Sequence, residues 1–588
     1  MLPLVLEPKK ELLNSSFEGY KLSLDSVPIH GTALSDEVKR VHPNDDQYSF
    51  LHLRLFSLHN YLYQDPWNNQ YVYFVTQAEE VVCSVFDKFT GHLSGSGKVF
   101  KLPSSVESKI CVNQSLSFPS QNLALVSDGF KSICLLSTGS RESSSQSWSI
   151  LFEEVVTEEP GFSILDSKFC PEEKSVTCIL LSIVDGKSLD LQTVSSREDA
   201  SKFVSFLNIL TLVVDDHQKW TVKSKKQLYC SGEIEYCSLG YASSDISVIS
   251  REPFTFLSDS ESSVLEEESN QDSKQNGERK VEYYWRQTAD DLTVWFNIPC
   301  DSSRNQISVV VDGSEMHIKC QDKVLLQGAL HHTVIENLTT WTIDNNKLEI
   351  IFIKNETGLM WPCFIQDNCS GEEIIDPILI GEIHERLAHL CSDTEVKSKD
   401  LGSMCAPAFN MEQLEDCDAF DSDSKLLSRI DLSSHLVTHQ AYLSGAQWLF
   451  NCTISPDQSP GFCLRHDVDG CVWSPKSDSI SDWRCEHVAT FLALGYVQAS
   501  KQQKKFITCP PDFSYAAIIE TSHHVYLYRQ TCSVNSELRN RKSGSKIGTV
   551  AKQQLINLPS NEEVLGVKAT NRSLFVLTTA HLYCLDVV

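Results

Sequence analysis

The stretch VEYYWRQTADDLTVWFNIP, Val281–Pro299, decides how this chain is read. It follows directly on an acidic run that begins SDSESSVLEEESNQDS at Ser258. Leu292, Val294, Phe296 and Ile298 alternate with Thr293, Trp295 and Asn297. A strand sends successive side chains to opposite faces, so this alternation predicts one buried face and one open face. Pro299 has no amide proton for a ladder and ends the strand. Ile307, Val309 and Val311 repeat the pattern, Asp312-Gly313 supplies a turn, and Met316 and Ile318 face inward on the next strand. Leu325, Leu326 and Leu330 surround Gly328. Trp341 and Ile343 alternate, Asp344-Asn345-Asn346 turns, and Leu348, Ile350 and Phe352 make the last strong strand. The predicted unit is a compact antiparallel β-sandwich.

Working outward, the acidic run holds Asp259, Glu261, Glu266, Glu267, Glu268 and Asp272 with no basic residue among them. Burying those carboxylates would need partners that the segment lacks, so it reads as a solvated linker. Beyond the sandwich, EEIIDPILIGEIHERLAHL (Glu372–Leu390) places Leu379, Ile383, Leu387 and Leu390 at helical spacing. Both flanks have a different texture, with short apolar strands and turns. LALVSDGFKSICLL (Leu123–Leu136) reads as a hairpin around Ser127-Asp128-Gly129, where glycine adopts positive φ at no steric cost. Phe203–Val214, Phe462–Trp473, His487–Ser500, Tyr515–Glu520, His524–Gln530 and Leu574–Val587 are further strands or strand pairs. Repeated strands of this kind in two flanks predict a single β-propeller, split by the inserted unit, with two separate β domains as the alternative. The expected division is 1–257 as the first part of the propeller and 258–280 as the acidic linker, then 281–370 as the sandwich. A short helix over 371–391, a second acidic linker over 392–425 and the rest of the propeller over 426–588 complete it.

Composition narrows the function classes. The 588-residue chain carries 78 Asp+Glu against 50 Lys+Arg, a formal net charge of −28. Such a surface repels phosphate backbones, so direct nucleic-acid binding is not expected. The longest apolar run, Phe203–Val214, is too short to span a bilayer, and MLPLVLEPKK lacks the charge order of a secretory signal. The 21 cysteines include no CxxC pair and read as reduced, buried thiols.

The central unit resembles the CS domain, the p23-like fold, in its NudC branch. The residues that carry the resemblance are Tyr284, Trp285, Gln287 and the DLTVWFNIP strand, then QGALHHTVIENLTTWTID, KLEIIFIK and GLMWP. Position by position, Trp285, Gln287, Val294, Gly328, Leu330, Trp341, Ile343, Leu348, Ile350, Lys354 and Trp361 fit. FEGYKLSL, FCLRHDVDG, LGYVQASK, LRNRKSG, GTVAKQQ and LFVLTT extend the resemblance to full-length NudC-like proteins across most of the chain. It implies a co-chaperone-like adaptor, cytoplasmic and nuclear, with Hsp90 and client proteins, an RNA helicase among them, as partner classes. A passive scaffold is the alternative.

Within the CS unit, Tyr284, Val294, Trp341, Ile343, Leu348 and Ile350 are expected in the core. Trp285 and Trp361 are candidate partner anchors, because large aromatics give much contact area at low entropic cost. Lys354 is a candidate for an acidic partner surface, or a solubilising edge charge. No catalytic, cofactor or metal residues are expected. GHLSGSGKV (Gly91–Val99) fails as a phosphate loop, with His92 where a glycine belongs and Val99 where the hydroxyl for magnesium belongs. Asp467 and Asp469 in RHDVDG, the best evidence for a rival hydrolase, read as turn residues near Gly470 and Arg465. Cys463, His466, Cys471, Cys485 and His487 have irregular spacing for zinc. His331 and His332 are expected on opposite sides of a strand.

Overall fold

A computed structural model of the chain describes residues 6–14, 17–94, 97–103, 110–142, 146–156, 160–189, 203–261, 283–288, 290–297, 307–312, 314–320, 323–344, 347–356, 358, 361, 364–365, 371–373, 425–443, 446–479, 482–533, 539, 544 and 549–587. The chain divides into two compact units, Met1–Leu265 with Asp416–Val588, and Glu266–Glu415.

In the first unit the apolar strands pair as hairpins. Leu123–Ser127 and Ser132–Ser137 run antiparallel, with Gly129 at φ +76° and the Asp128 carboxylate accepting from the Phe130 and Ser132 amides. Phe203–Val214 is one long strand, paired from Phe203 to Val213 with Ser175–Asp185. The β-propeller expected from the flanks is corrected here. Among the described residues the flanks form seven separate open sheets of four or five strands, and none closes on itself or curls. Strand lengths and turn spacing report hairpins, which are present. How the hairpins assemble into sheets depends on long-range pairing, and no ladder runs from one sheet into the next. Apolar packing links the sheets instead, as where Tyr73 and Val81 meet Leu116 and Ala124, and where Ile179 and Leu207 meet Ile246 and Ile430.

Three pairings join residues from the two flanks of the inserted unit. Asp245–Ser250 lies antiparallel to Leu426–Asp431, Ile29–Ala33 pairs with His581–Asp586, and Lys21–Leu22 runs parallel to Lys552–Gln553. At the first of these joins Arg429 Nη2 donates to Asp245 Oδ2 at 2.9 Å, both side chains being fully buried.

The expected linker over 258–280 needs revision at its start. Thr255–Asp259 is a strand, and Asp259 is buried in it. The partners its own segment lacks come from elsewhere: Lys226 Nζ and His435 Nε2 each lie 2.7 Å from Asp259 Oδ2. His435 sits at a hairpin tip with φ +60°, a region histidine tolerates better than bulkier residues, and its ring packs on Phe256 at 4.3 Å. That linker from residue 262 on, and the second one up to residue 424, lie outside the described residues.

The second unit stacks two sheets. One has the order Thr340–Asp344, Lys347–Ile353, Asp291–Asn297, Tyr283–Gln287, Gly371–Glu373; the other is Ile307–Asp312, Glu315–Cys320, Lys323–Ala329. Leu292, Val294, Phe296, Leu348, Ile350 and Phe352 share their core with Met316, Ile318 and Leu326. A Cβ on Gly328 would meet the Ile365 side chain at 2.6 Å, so a larger residue there would force Ile365 to shift. Two expectations change. The sandwich contains one parallel pair, Tyr283–Trp285 with Gly371–Glu373. The helix expected from residue 371 therefore opens as a strand, because the Tyr283–Gln287 edge offers unpaired backbone groups. Leu379, Ile383, Leu387 and Leu390 lie outside the described residues.

Burial pushes the Asp259 carboxyl up, but Lys226, the Glu261 amide and His435 outweigh it and hold the group below the ordinary aspartate range. A carboxylate whose folded value is depressed adds stability that is present above its unfolded value, about 4, and is lost as pH falls through the folded value. Asp259→Asn is therefore expected to lower stability at pH 7 and to flatten the acid limb below about pH 4. Urea unfolding of both proteins across that range checks this, and an unchanged acid slope would refute it.

Candidate protein-binding face

The register of the five-stranded sheet decides what each strand shows. Tyr284 pairs with Trp295, Trp285 with Val294, and Trp295 with Glu349. With Trp285, Val294 and Ile350 facing the core, Arg286, Trp295, Glu349 and Ile351 fall on the outward face. There the Trp295 Nε1–H donates to Glu349 Oε1 at 3.0 Å, and the Arg286 guanidinium lies 5.6 Å from the Trp295 ring centroid. Trp295 is partly exposed. The indole is thus held by a cation on its face and a carboxylate on its N–H, with the exposed Thr342 on the neighbouring strand. A partly exposed, fixed aromatic ringed by both charge signs suits recognition of a mixed apolar and polar protein surface.

Sequence reasoning singled out different side chains. Trp285, Trp361 and Lys354 are 3%, 2% and 1% exposed, so as placed they offer no side-chain surface to a partner. They belong to a buried polar knot. Gln287 Oε1 accepts from the Trp361 amide at 2.7 Å and from Lys354 Nζ at 3.1 Å, while Gln287 Nε2 donates to the Trp361 carbonyl at 2.8 Å. Lys354 Nζ also donates to the Thr288 carbonyl at 2.9 Å. A buried ammonium is tolerated because oxygen acceptors surround it. Of the expected core, Val294, Leu348 and Ile350 are buried, and Trp341 and Ile343 are partly buried against the same cluster. Tyr284 pairs through its backbone, and its side chain lies outside the described residues. The signal that would have found Trp295 is its place in the alternation, as the one tryptophan on the polar side of Leu292–Phe296.

The remaining motifs resolve as structure. His331 and His332 do not point apart. Their rings meet edge-on at 4.6 Å, and the His332 ring also packs on Trp361, because the chain has left the strand at Ala329. Asp469 Oδ1 accepts from the Ala493 amide, and Arg465 Nε donates to the Asp467 carbonyl, so RHDVDG is a pinned hairpin turn. Burial raises the Asp469 carboxyl. Within GHLSGSGKV, His92–Leu93 is a strand and Gly97 opens the strand Gly97–Lys101. Among the described residues no group of three or more His, Cys, Asp or Glu is placed to hold a metal ion, and no helix is long and apolar enough to cross a membrane.

The knot makes a testable statement. Gln287→Leu takes the acceptor from the Trp361 amide and from Lys354 together, and is expected to cost about 2–4 kcal/mol. Lys354→Met removes a buried charge along with its desolvation cost and is expected to cost about 1 kcal/mol or less. Urea unfolding of the full chain followed by tryptophan fluorescence compares them, and equal losses would contradict the knot.

Comparison with known proteins agrees with this unit and extends past it. The CS domain family matches residues 281–354. The solution structure of the CS domain of human KIAA1068 protein is 24% identical and covers 16% of this chain and 78% of its own, with a TM-score of 0.14 that is too low to bear on the fold. NudC domain-containing protein 1 of Xenopus tropicalis is 33% identical over 597 residues, covering 99% of this chain and 98% of the relative. The mouse protein of the same name is 35% identical over 589 residues, with the same coverage of both. At that identity over nearly the full length of both proteins, the chain belongs to the NudC domain-containing protein 1 family.

Proposed function

We propose that this chain is a non-enzymatic adaptor that holds client proteins against the outward face of its CS domain. The family and the CS domain support a general co-chaperone or adaptor type. The observation that carries the finer reading is Trp295, partly exposed and fixed between Arg286 and Glu349 on a sheet whose other face is the core. Preorganisation matters here, because a side chain already held in place loses little freedom on binding. The partner classes are those the resemblance implies, Hsp90 and protein clients such as an RNA helicase, met in the cytoplasm and nucleus. The hydrolase reading loses its best support once Asp467 and Asp469 serve a turn.

The test is quantitative affinity purification and mass spectrometry from cells, with the full chain and with Trp295→Ala and Arg286→Glu variants. Both substitutions sit on the open face, so melting temperature is expected to stay within about 2 °C. Recovery of CS-dependent partners is expected to fall about fivefold or more, as for an interface anchor. Undiminished recovery from a folded Trp295→Ala variant would sink the reading and favour a passive scaffold.

A further inference from the structure

The N-terminal arm of the first unit rests lightly on the strands it crosses. Leu6 and Leu13 are partly buried against the cluster that holds Trp473 and Trp483, while Lys9, Lys10, Glu11 and Leu12 between them are exposed. The short turn Lys10–Leu12 packs on the strand Asp482–Phe491. Farther along, the Tyr20 hydroxyl donates to the Leu492 carbonyl at 2.6 Å, and Lys21–Leu22 joins Lys552–Gln553. Over residues 6–14 the arm is tied to that strand by the Lys9 amide, which donates to His487 Nδ1 at 3.0 Å.

That bond fixes the state of the ring. A backbone N–H donates, so Nδ1 keeps its lone pair and the ring proton sits on Nε2. There it donates to the Ala489 carbonyl at 2.9 Å, with the Thr490 hydroxyl also 2.9 Å away. The ring is 1% exposed and lies 5.2 Å from the Trp473 ring. An imidazolium has an N–H on both nitrogens, so on protonation Nδ1–H would face the Lys9 N–H, donor against donor. The charges nearby act the same way. Burial lowers the His487 imidazole most; the Ala489 carbonyl opposes it, and Lys9 and His466 lower it further. The neighbouring carboxylate, Glu486, is paired with Lys476 at 3.1 Å. Docking the arm makes His487 harder to protonate, so by linkage protonating His487 loosens the arm. The docked value is depressed. Attachment is therefore complete above the ordinary histidine value, about 6.5, and weakens as pH falls below it toward the docked value.

We propose that residues 6–14 form a strap that His487 holds while neutral and releases when protonated, baring the part of the Trp473 and Trp483 cluster that Leu6 and Leu13 cover. The strap belongs to the first unit, so it stands or falls separately from the face around Trp295.

The experiment is amide hydrogen exchange of the full chain, read by mass spectrometry and corrected for intrinsic exchange, with the buried strand Tyr515–Glu520 as the reference. Between about pH 7.5 and about pH 5.5, protection over residues 6–14 is expected to fall about threefold or more while Tyr515–Glu520 stays protected. Lys9→Pro removes the amide donor and the ammonium together. Lys9 already sits at φ −66°, which proline adopts without strain. This variant is expected to lower the arm's protection at neutral pH and to abolish most of its pH dependence. Arm protection that does not change with pH, the same pH dependence in Lys9→Pro, or loss of protection in Tyr515–Glu520 along with the arm would each overturn the proposal.

Discussion

The pairing of Asp245–Ser250 with Leu426–Asp431 is the constraint on which the larger unit depends, because it joins two parts of the chain with a whole second unit between them. Closing so long a loop costs entropy that grows only slowly with length, so the insertion is tolerated once the join itself is strong. The join is central in its sheet, flanked by Ile234–Leu239 on one side and Val437–Tyr442 on the other. Leu239, Ile246, Val248 and Ile430 give it an apolar face, and the buried Arg429–Asp245 pair adds a polar one. A buried ion pair is weak evidence for net stability, but breaking it strands a charge, at about 3–5 kcal/mol. Its value is specificity: Ser247 opposite Arg429 is the register that lets the guanidinium reach Asp245.

The same logic appears on a smaller scale inside the CS unit. Gln287, Lys354 and Trp361 come from three separate stretches, and their hydrogen bonds tie the Tyr283–Gln287 strand, the end of Lys347–Ile353 and the segment at Trp361 to one another. A knot of this kind fixes the sheet whose other face carries Trp295. On the proposed reading, stability and recognition are divided between the two sides of one strand pair. The side chains that fit the family pattern at Gln287, Lys354 and Trp361 serve the interior, while the candidate contact residues Arg286, Trp295 and Glu349 occupy the alternate positions.

An adaptor reading fits a molecule built this way. Among the described residues several carboxylates serve turns and buried pairs: Asp469 holds the Ala493 amide, Asp259 holds Lys226 and His435, and Asp128 closes a hairpin. What the described surface offers is fixed aromatic and charged side chains on rigid strands, which are means of binding.

The sequence by itself determined the local alternation. Period-two patterning at Leu292–Phe296 and Leu348–Phe352, and the turn at Ser127-Asp128-Gly129, depend on neighbours in the chain and were legible from it. The CS resemblance was legible for the same reason, through motifs at fixed spacing. Tertiary structure alone decided the rest. Trp361 and Lys354 are buried because Gln287, 74 and 67 residues earlier, supplies their acceptor. Asp259 is buried because Lys226 and His435 reach it from before and after, 176 residues away in the case of His435. The flanks form separate open sheets because sheet pairing is set by long-range ladders. Side-chain alternation is a property of one strand, whereas burial of a charge and the joining of sheets require partners whose distance in sequence carries no local signal.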